Sequence, residues 1–345
     1  MTQQKIIVTG GAGYIGSHTV VALIEAGYEP IIVDNYSNAD RNIIAQIEKI
    51  VDTSVRHYEV DCNDFSAFHR VFEKEKNVLG SIHFAASKAV GESVANPLKY
   101  YHNNIASLVN LLQLQLEFGI EHLVFSSSCT VYGEPEQLPV TENSPIQVAN
   151  SPYGNTKQIC EEIITDVVTS KANLKASSLR YFNPIGAHSS ALIGELPFGV
   201  PNNLVPFITQ TAAGLRESLT IFGDDYDTPD GTCVRDYIHV VDLAKAHVQA
   251  LNWLQSQEKP NLHEAFNLGM GKGYSVLEIV QTFEKVNNLQ LNYRIGEKRP
   301  GDVVRIYGSV DKANQILNWQ NELSIEDALR DAWRWQLQLK EITNK

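Results

Sequence analysis

Residues 9–18 read TGGAGYIGSH, and the fold turns on how this stretch is read. It follows the apolar run KIIVTG and leads into SHTVVALIEAG, whose apolar spacing is helical and which stops at Gly27. The glycines fit either Gly10-x-x-Gly13-x-x-Gly16 or Gly11-x-Gly13-x-x-Gly16. Glycine lets a backbone turn tightly and approach a pyrophosphate, which then rests on the N-terminus of the next helix. Tight turns use glycine without any ligand, so the triplet acquires weight from its place between a strand and a helix. Asp34 ends the next strand-like run, EPIIVDN, 18 residues after Gly16. A carboxylate there accepts hydrogen bonds from an adenosine ribose and repels a 2′-phosphate, which favours NAD over NADP.

Outward from this unit the alternation continues. RNIIAQIEKI, FSAFHRVFEKE, PLKYYHNNIASLVNLLQLQLEFG and PYGNTKQICEEIITDVV have helical spacing, and VRHYEVD, SIHFAAS, HLVFSSS and ASSLRYFN read as strands. In the longest helix Leu98, Tyr101, Ile105, Leu108, Leu112 and Leu116 fall broadly on one side. Repeated strand–helix units imply an α/β fold with a doubly wound, Rossmann-like parallel sheet covered on both faces. After about Asn183 the chain becomes loop-rich, as in HSSALIGELPFGVPNN and GDDYDTPDGT. The expected division is a nucleotide-binding domain over 1–182 and a smaller, irregular α/β substrate domain over 183–345, with the chain returning to the first sheet.

Composition narrows the partners. The 345 residues carry a net charge of −12 and no basic tract, which argues against nucleic acid or an anionic membrane. Cys62, Cys129, Cys160 and Cys233 form no CxxC pair, as expected of free thiols in a reducing compartment. MTQQKIIVTGG lacks the apolar run of a signal peptide, and no segment is long enough to span a bilayer. The expectation is a cytoplasmic protein with no metal site.

The chemistry gathers at SPYGNTK, residues 151–157. Of 14 tyrosines only Tyr153 has a lysine four positions on, and residues i and i+4 share a helix face. One such pair is expected by chance; position gives this one meaning, because ligands of parallel sheets lie beyond the carboxyl ends of the strands. A phenol beside a cation has its charged form favoured and can act as a base, although a free phenol titrates at about 10. Lys157 can also hold a nicotinamide ribose. Ser126, Ser127 and Ser128 end the fifth strand and alternate in direction; Ser128 is the one expected to orient a substrate hydroxyl.

These segments, together with FAASKAVGES, FSSSCTVYG, LRYFNPIGAH, GVPNNLVPFI, DGTCVRDYIHVVDLA and FNLGMGKGYSV, make the chain resemble the extended short-chain dehydrogenase/reductase family along nearly its whole length. Within that family it is most similar to the branch that inverts C4 of UDP-galactose and UDP-glucose. The resemblance implies NAD as cofactor, held by the glycine loop with Tyr14, Ile15, Asp34, Asn35, Asp61, Cys62, Phe84, Ala85, Lys88, Asn103, Tyr153, Lys157 and Phe182. It implies catalysis by Ser128, Tyr153 and Lys157. It implies a UDP-sugar contacted by Ser128, Asn183, Asn203, Leu204, Phe222, Arg235, Tyr237, Arg299 and Asp302. Ile306, four residues after Asp302, would border the sugar C2 substituent and leave room for UDP-N-acetylhexosamines, unless Tyr307 takes that place. A homodimer packed through the long helix and the helix after Tyr153 is also implied. Sugar-nucleotide dehydratases of the family carry Asp-Glu where this chain has Cys129 and Thr130, which argues against dehydration. A non-catalytic NAD-binding protein on the same fold would have no reason to keep the tyrosine, lysine and arginines together.

Overall fold

The computed structural model describes residues 3–299 and 302–343. Each of the six runs read as strands overlaps one. β1 (Lys5–Thr9), β2 (Glu29–Asp34), β3 (Arg56–Glu59), β4 (Val78–His83), β5 (His122–Ser128) and β6 (Lys175–Tyr181) alternate with α1 (Tyr14–Glu25), α2 (Ile43–Val51), α3 (Phe65–Lys74), α4 (Val90–Ala95), α5 (Pro97–Glu117) and α6 (Pro152–Thr169). Then come β7 (Asn183–Ile185), α7 (Leu204–Ala212), β8 (Leu219–Phe222), β9 (Val234–His239), α8 (Val240–Gln255), β10 (Leu262–Leu268), β11 (Gly273–Ser275), α9 (Val276–Asn287), β12 (Tyr293–Gly296), β13 (Arg305–Ile306), α10 (Asp311–Ile316) and α11 (Ile325–Thr343).

Seven parallel strands form the main sheet in the order β10-β6-β5-β4-β1-β2-β3. The winding reverses beside β1, and that reversal opens a crevice at the carboxyl ends of the strands. Both faces are packed. Ile6, Val8 and Val124 meet α1, α2 and α8 on one side, while Ile7, Leu123 and Phe125 meet α3, α5 and α6 on the other. The chain does return to this sheet, since α8 covers one face of it and β10 forms its outer edge beside β6.

The second lobe is built on short elements. β9 pairs with β7, β11 and β13, and β8 pairs with β12. Ile208, Ile221, Phe283 and Leu329 centre its core among α7, α9 and α11.

The long helix differs from its expected face. Leu98 is 81% exposed and Leu116 41% exposed. Leu108 and Leu112 are buried as expected, but the rest of the buried side is Tyr100, Asn104, Ser107, Leu111, Leu114 and Gln115. Polar anchors decide the rotation. Asn104 accepts from Ser87 N and donates to Thr156 Oγ1, and Gln115 donates to His122 O.

Candidate active site

The glycine turn is as tight as its spacing implies. Gly10 has φ +68, and a Cβ there would stand 2.7 Å from Ala85 N. A Cβ on Gly16 would meet Gly10 O at 2.3 Å, so the turn and the first helical turn touch through backbone. Gly13 caps α1 without a side chain, leaving the helix N-terminus open to an external acceptor. Asp34 is held at the end of β2 by Ala12 N (3.0 Å) and Tyr36 N (2.9 Å), and burial raises its pKa. Arg41, over the Tyr36 ring, is paired with Glu59, so its charge is already engaged by a carboxylate. A backbone cradle and an acid facing no free arginine fit NAD. Asn35 donates to Asp61, Asn103 donates to Ser87 Oγ, Cys62 is buried, and Phe84 and Ala85 follow β4 beside the turn.

The residues expected to react lie at the end of β5 and on the first turns of α6. Ser151 Oγ caps this helix at Gly154 N (3.2 Å), and Pro152 opens it. Tyr153 and Lys157 therefore project one turn apart toward the end of β5. Ser128 hydrogen-bonds the Tyr153 phenol and accepts from Thr130 N. Ser127 turns the other way, to Glu161, and Ser126 pairs with the Tyr181 hydroxyl. The alternation expected of the three serines is thus resolved: one faces Tyr153.

The charge balance departs from the sequence argument. Burial pushes the Tyr153 phenol up to about 12, and the Ser128 hydrogen bond offsets only part of this. The reason is where the ammonium points. Lys157 Nζ donates to Ser126 O at 2.6 Å and sits 4.9 Å from the Phe125 ring centroid, against 5.9 Å from that of Tyr153. Burial in turn lowers Lys157 to about 8, offset by Cys160 and Glu161.

Across the crevice four further residues converge. Arg235 Nη2 lies 4.0 Å from Asp302, and Arg299 Nε lies 3.2 Å from the same carboxylate. Arg299 also stacks 4.6 Å over the Phe222 ring. Two guanidiniums sharing one carboxylate leave a net positive clamp suited to a diphosphate. Asn183 pairs with Tyr237 across β7 and β9, and Tyr237 packs in the core of the second lobe. Ile306 packs with Cys129 and Phe182, both beside Ser128 or the cofactor residues, whereas the Tyr307 ring lies against Gly273.

Sequence reasoning missed two carboxylates. Glu195 binds both Lys88 Nζ (3.2 Å) and Asn203 Nδ2 (2.7 Å), joining a residue expected at the cofactor to one expected at the substrate, next to Leu204. Glu161 binds Arg180 and Ser127 beneath the reacting group. An arginine in a strand otherwise small and apolar, ASSLRY, demands a buried partner and was the available signal. Among the described residues no cluster suited to a metal ion occurs.

Comparison with known proteins agrees with this geometry. A family model described as GDP-mannose 4,6 dehydratase matches residues 7–332. A UDP-glucose 4-epimerase of Dictyostelium discoideum is 50% identical over 332 residues, 96% of this chain and 95% of that protein. A solved UDP-glucose-4-epimerase from Stenotrophomonas maltophila, with bound NAD and formylated UDP-arabinopyranose, is 41% identical; the TM-score is 0.95, covering 99% of this chain and 100% of that one. Another from Bifidobacterium longum, in complex with NAD+ and UDP, is 43% identical with a TM-score of 0.93, covering 97% and 98%.

Proposed function

The chain belongs to the UDP-glucose 4-epimerase family, and from that premise we propose how its residues divide the reaction. It is an isomerase that interconverts UDP-galactose and UDP-glucose by transient oxidation of the sugar at C4. Bound NAD supplies a hydride acceptor at C4 and a hydride donor to the opposite face, so no second substrate is consumed.

Tyr153, as the phenolate that the positive charge of bound NAD would favour against the burial that opposes it, would take the proton of the 4-hydroxyl and later return it. Ser128 orients that hydroxyl and hydrogen-bonds the phenol. Lys157, which burial lowers and Cys160 and Glu161 raise, holds its ammonium on Ser126 O, 5.9 Å from the Tyr153 ring centroid, and supplies a cation behind the phenol. Arg235 and Arg299 hold the diphosphate, with Asp302 fixing the direction of both. Phe222 offers an aromatic face beside them. Anchoring at the diphosphate leaves the 4-keto sugar free to turn over within the crevice and present its other face. Cys129 and Thr130 provide a thiol and an alcohol where dehydration needs two carboxyl groups, which favours epimerisation over the chemistry for which the family model is named.

The observation that carries this reading is the convergence of Ser128, Tyr153 and Lys157, with Arg235 near enough to act on Cys129 beside them. It is tested by incubating the purified protein with UDP-galactose and NAD and analysing the sugar. UDP-glucose should form while NAD is not consumed. A 4-keto-6-deoxy sugar, or no product, would overturn it.

A second reading extends the substrates. Ile306, packed on Cys129 and Phe182, is smaller than an aromatic wall, and this supports weak acceptance of UDP-N-acetylhexosamines. We also read the protein as a cytoplasmic homodimer. Ile105 on α5 and Ile163 and Val167 on α6 pack against the core yet remain only partly buried, which leaves apolar surface on these two helices for a second copy. No helix among the described residues is long and apolar enough to cross a membrane.

A further inference from the structure

We propose that Glu161 and Arg180 are positioning residues for the epimerisation, and that their ion pair, completed by Tyr132, sets the separation between Ser128 and the Tyr153–Lys157 face of α6. The inference rests on the reading above and concerns three residues that touch none of the reacting atoms.

The geometry is a single guanidinium fastened to three elements. Arg180 stands on β6 directly opposite Ser127 of β5. Its Nη2 donates to Glu161 Oε2 at 2.6 Å, and its Nε to Oε1 at 3.0 Å. Its Nη1 donates to the Tyr132 hydroxyl at 3.1 Å, with the guanidinium 5.1 Å from that ring centroid. Ser127 Oγ donates to Glu161 Oε1 at 2.5 Å, and Tyr132 donates onward to Asn267 Oδ1 at 2.6 Å. Ser127, Arg180 and Asn267 are register neighbours on three adjacent strands, so the network crosses the sheet one position before the carboxyl ends of these strands.

What makes this more than core polarity is where the fastened residues stand in the chain. Glu161 follows Lys157 by one helical turn and Tyr153 by two, on the same face. Tyr132 ends the one-turn 3₁₀ helix Cys129–Tyr132, whose N-cap is Ser128. Both sides of the gap between Ser128 and Tyr153 are therefore tied to one rigid, planar group. Glu161 and Arg180 are 8% and 7% exposed, so water cannot loosen the tie. Stability alone does not account for it, because buried ion pairs are often replaced by apolar residues without loss. An arginine fork fixes direction as well as distance, which an ammonium does not.

The test uses the NAD-loaded protein and two variants, Arg180→Lys, which keeps the charge without the fork, and Tyr132→Phe, which removes one hydroxyl. For each, kcat per bound NAD, KM for UDP-galactose and UDP affinity by calorimetry are measured. Misplacement on the ångström scale predicts that kcat falls about 10- to 100-fold in Arg180→Lys and about 3- to 10-fold in Tyr132→Phe, with UDP affinity held within about twofold. Unchanged kcat per bound NAD in Tyr132→Phe, even with a lowered melting temperature, would overturn the proposal. So would parallel loss of kcat and UDP affinity. If Arg180→Lys does not fold, Tyr132→Phe decides alone. Turnover by the parent protein in the same assay tests the epimerase reading separately.

Discussion

Lys157 and Arg299 are both cations to which we assign the ligand, yet Lys157 is 3% exposed and the Arg299 side chain 55% exposed. The contrast runs through the two sides of the crevice. On the side of the main sheet every reacting residue sits on or just beyond a regular element, with hydrogen bonds supplied by backbone and buried side chains. On the other side the clamp is carried by short strands and loops, and one of its charges, Arg299, meets water while Arg235 is largely covered. Chemistry that moves a proton needs fixed distances and a dry setting. Grip on a diphosphate tolerates movement, because charge acts over longer range and several donors share the task.

The largest expected effect falls on the rigid side. Tyr153→Phe should lower kcat by a factor of about 10² or more, as loss of a positioned base does, while UDP affinity and bound NAD are preserved. Near-parental turnover would remove the phenol from the mechanism and erase the contrast. Next comes the wet side. Arg235→Ala should weaken UDP binding by about 1.5–3 kcal/mol, the range for a hydrogen bond to a charged group, and exposed Arg299→Ala by less. Calorimetry on both variants ranks them; no loss in either would mean the diphosphate lies elsewhere.

A third prediction separates activity from stability on the dry side. Burial holds Lys157 down at about 8. An unfolded lysine titrates at about 10.4, so between these values the unfolded chain binds more protons than the folded one. Stability contributed by this group therefore rises with pH across that window. Turnover should fall over the same range, because the ammonium is lost. Melting curves and kcat measured side by side should diverge above about pH 8, and Lys157→Arg should flatten the kcat limb. If both traces fall together, unfolding explains the limb.

The smallest effect tests the wall. Ile306→Tyr should abolish turnover of UDP-N-acetylgalactosamine and leave kcat/KM for UDP-galactose within about threefold, as expected when volume is added at one edge of a pocket. Equal losses on both sugars would deny Ile306 a selective role.

The same contrast governs how much could be read from the residues in order. The sheet was legible because parallel strands buried on both faces are continuous apolar runs, and because helix starts such as Ser151-Pro152 carry their own chemistry. Tyr153 and Lys157 were legible through helical spacing. Glu161 was not, although it continues that spacing, because a lone glutamate on a helix is ordinarily a solvated one; only the fold brings Arg180 beneath it. The face of α5 misled because Asn104 and Gln115 satisfy buried backbone and side-chain groups, a role that apolar periodicity does not register. Glu195 lies in a loop with no period at all, and its bridge between Lys88 and Asn203 is purely tertiary.

β10, at the outer edge of the main sheet, has a consequence for how the chain is made. Leu262–Leu268 leaves the ribosome after the whole first series of strand–helix units, with Phe222 and Arg235 of the clamp already made and Arg299 and Asp302 still to come. Until then β6 presents a bare edge of unpaired amides and carbonyls, backed by Arg180 and Tyr181, and until α8 is made shortly before it Tyr181 and Phe84 lack the cover of His247 as well. A nascent chain halted before that point, or a gene cut near residue 183 to isolate the nucleotide-binding half, is left with an edge that recruits other strands. Late pairing of distant segments slows folding and lengthens the time at risk of aggregation. The two halves of the crevice are therefore one unit of synthesis, and a split version should be soluble only when residues 240–268 are grafted onto the first piece.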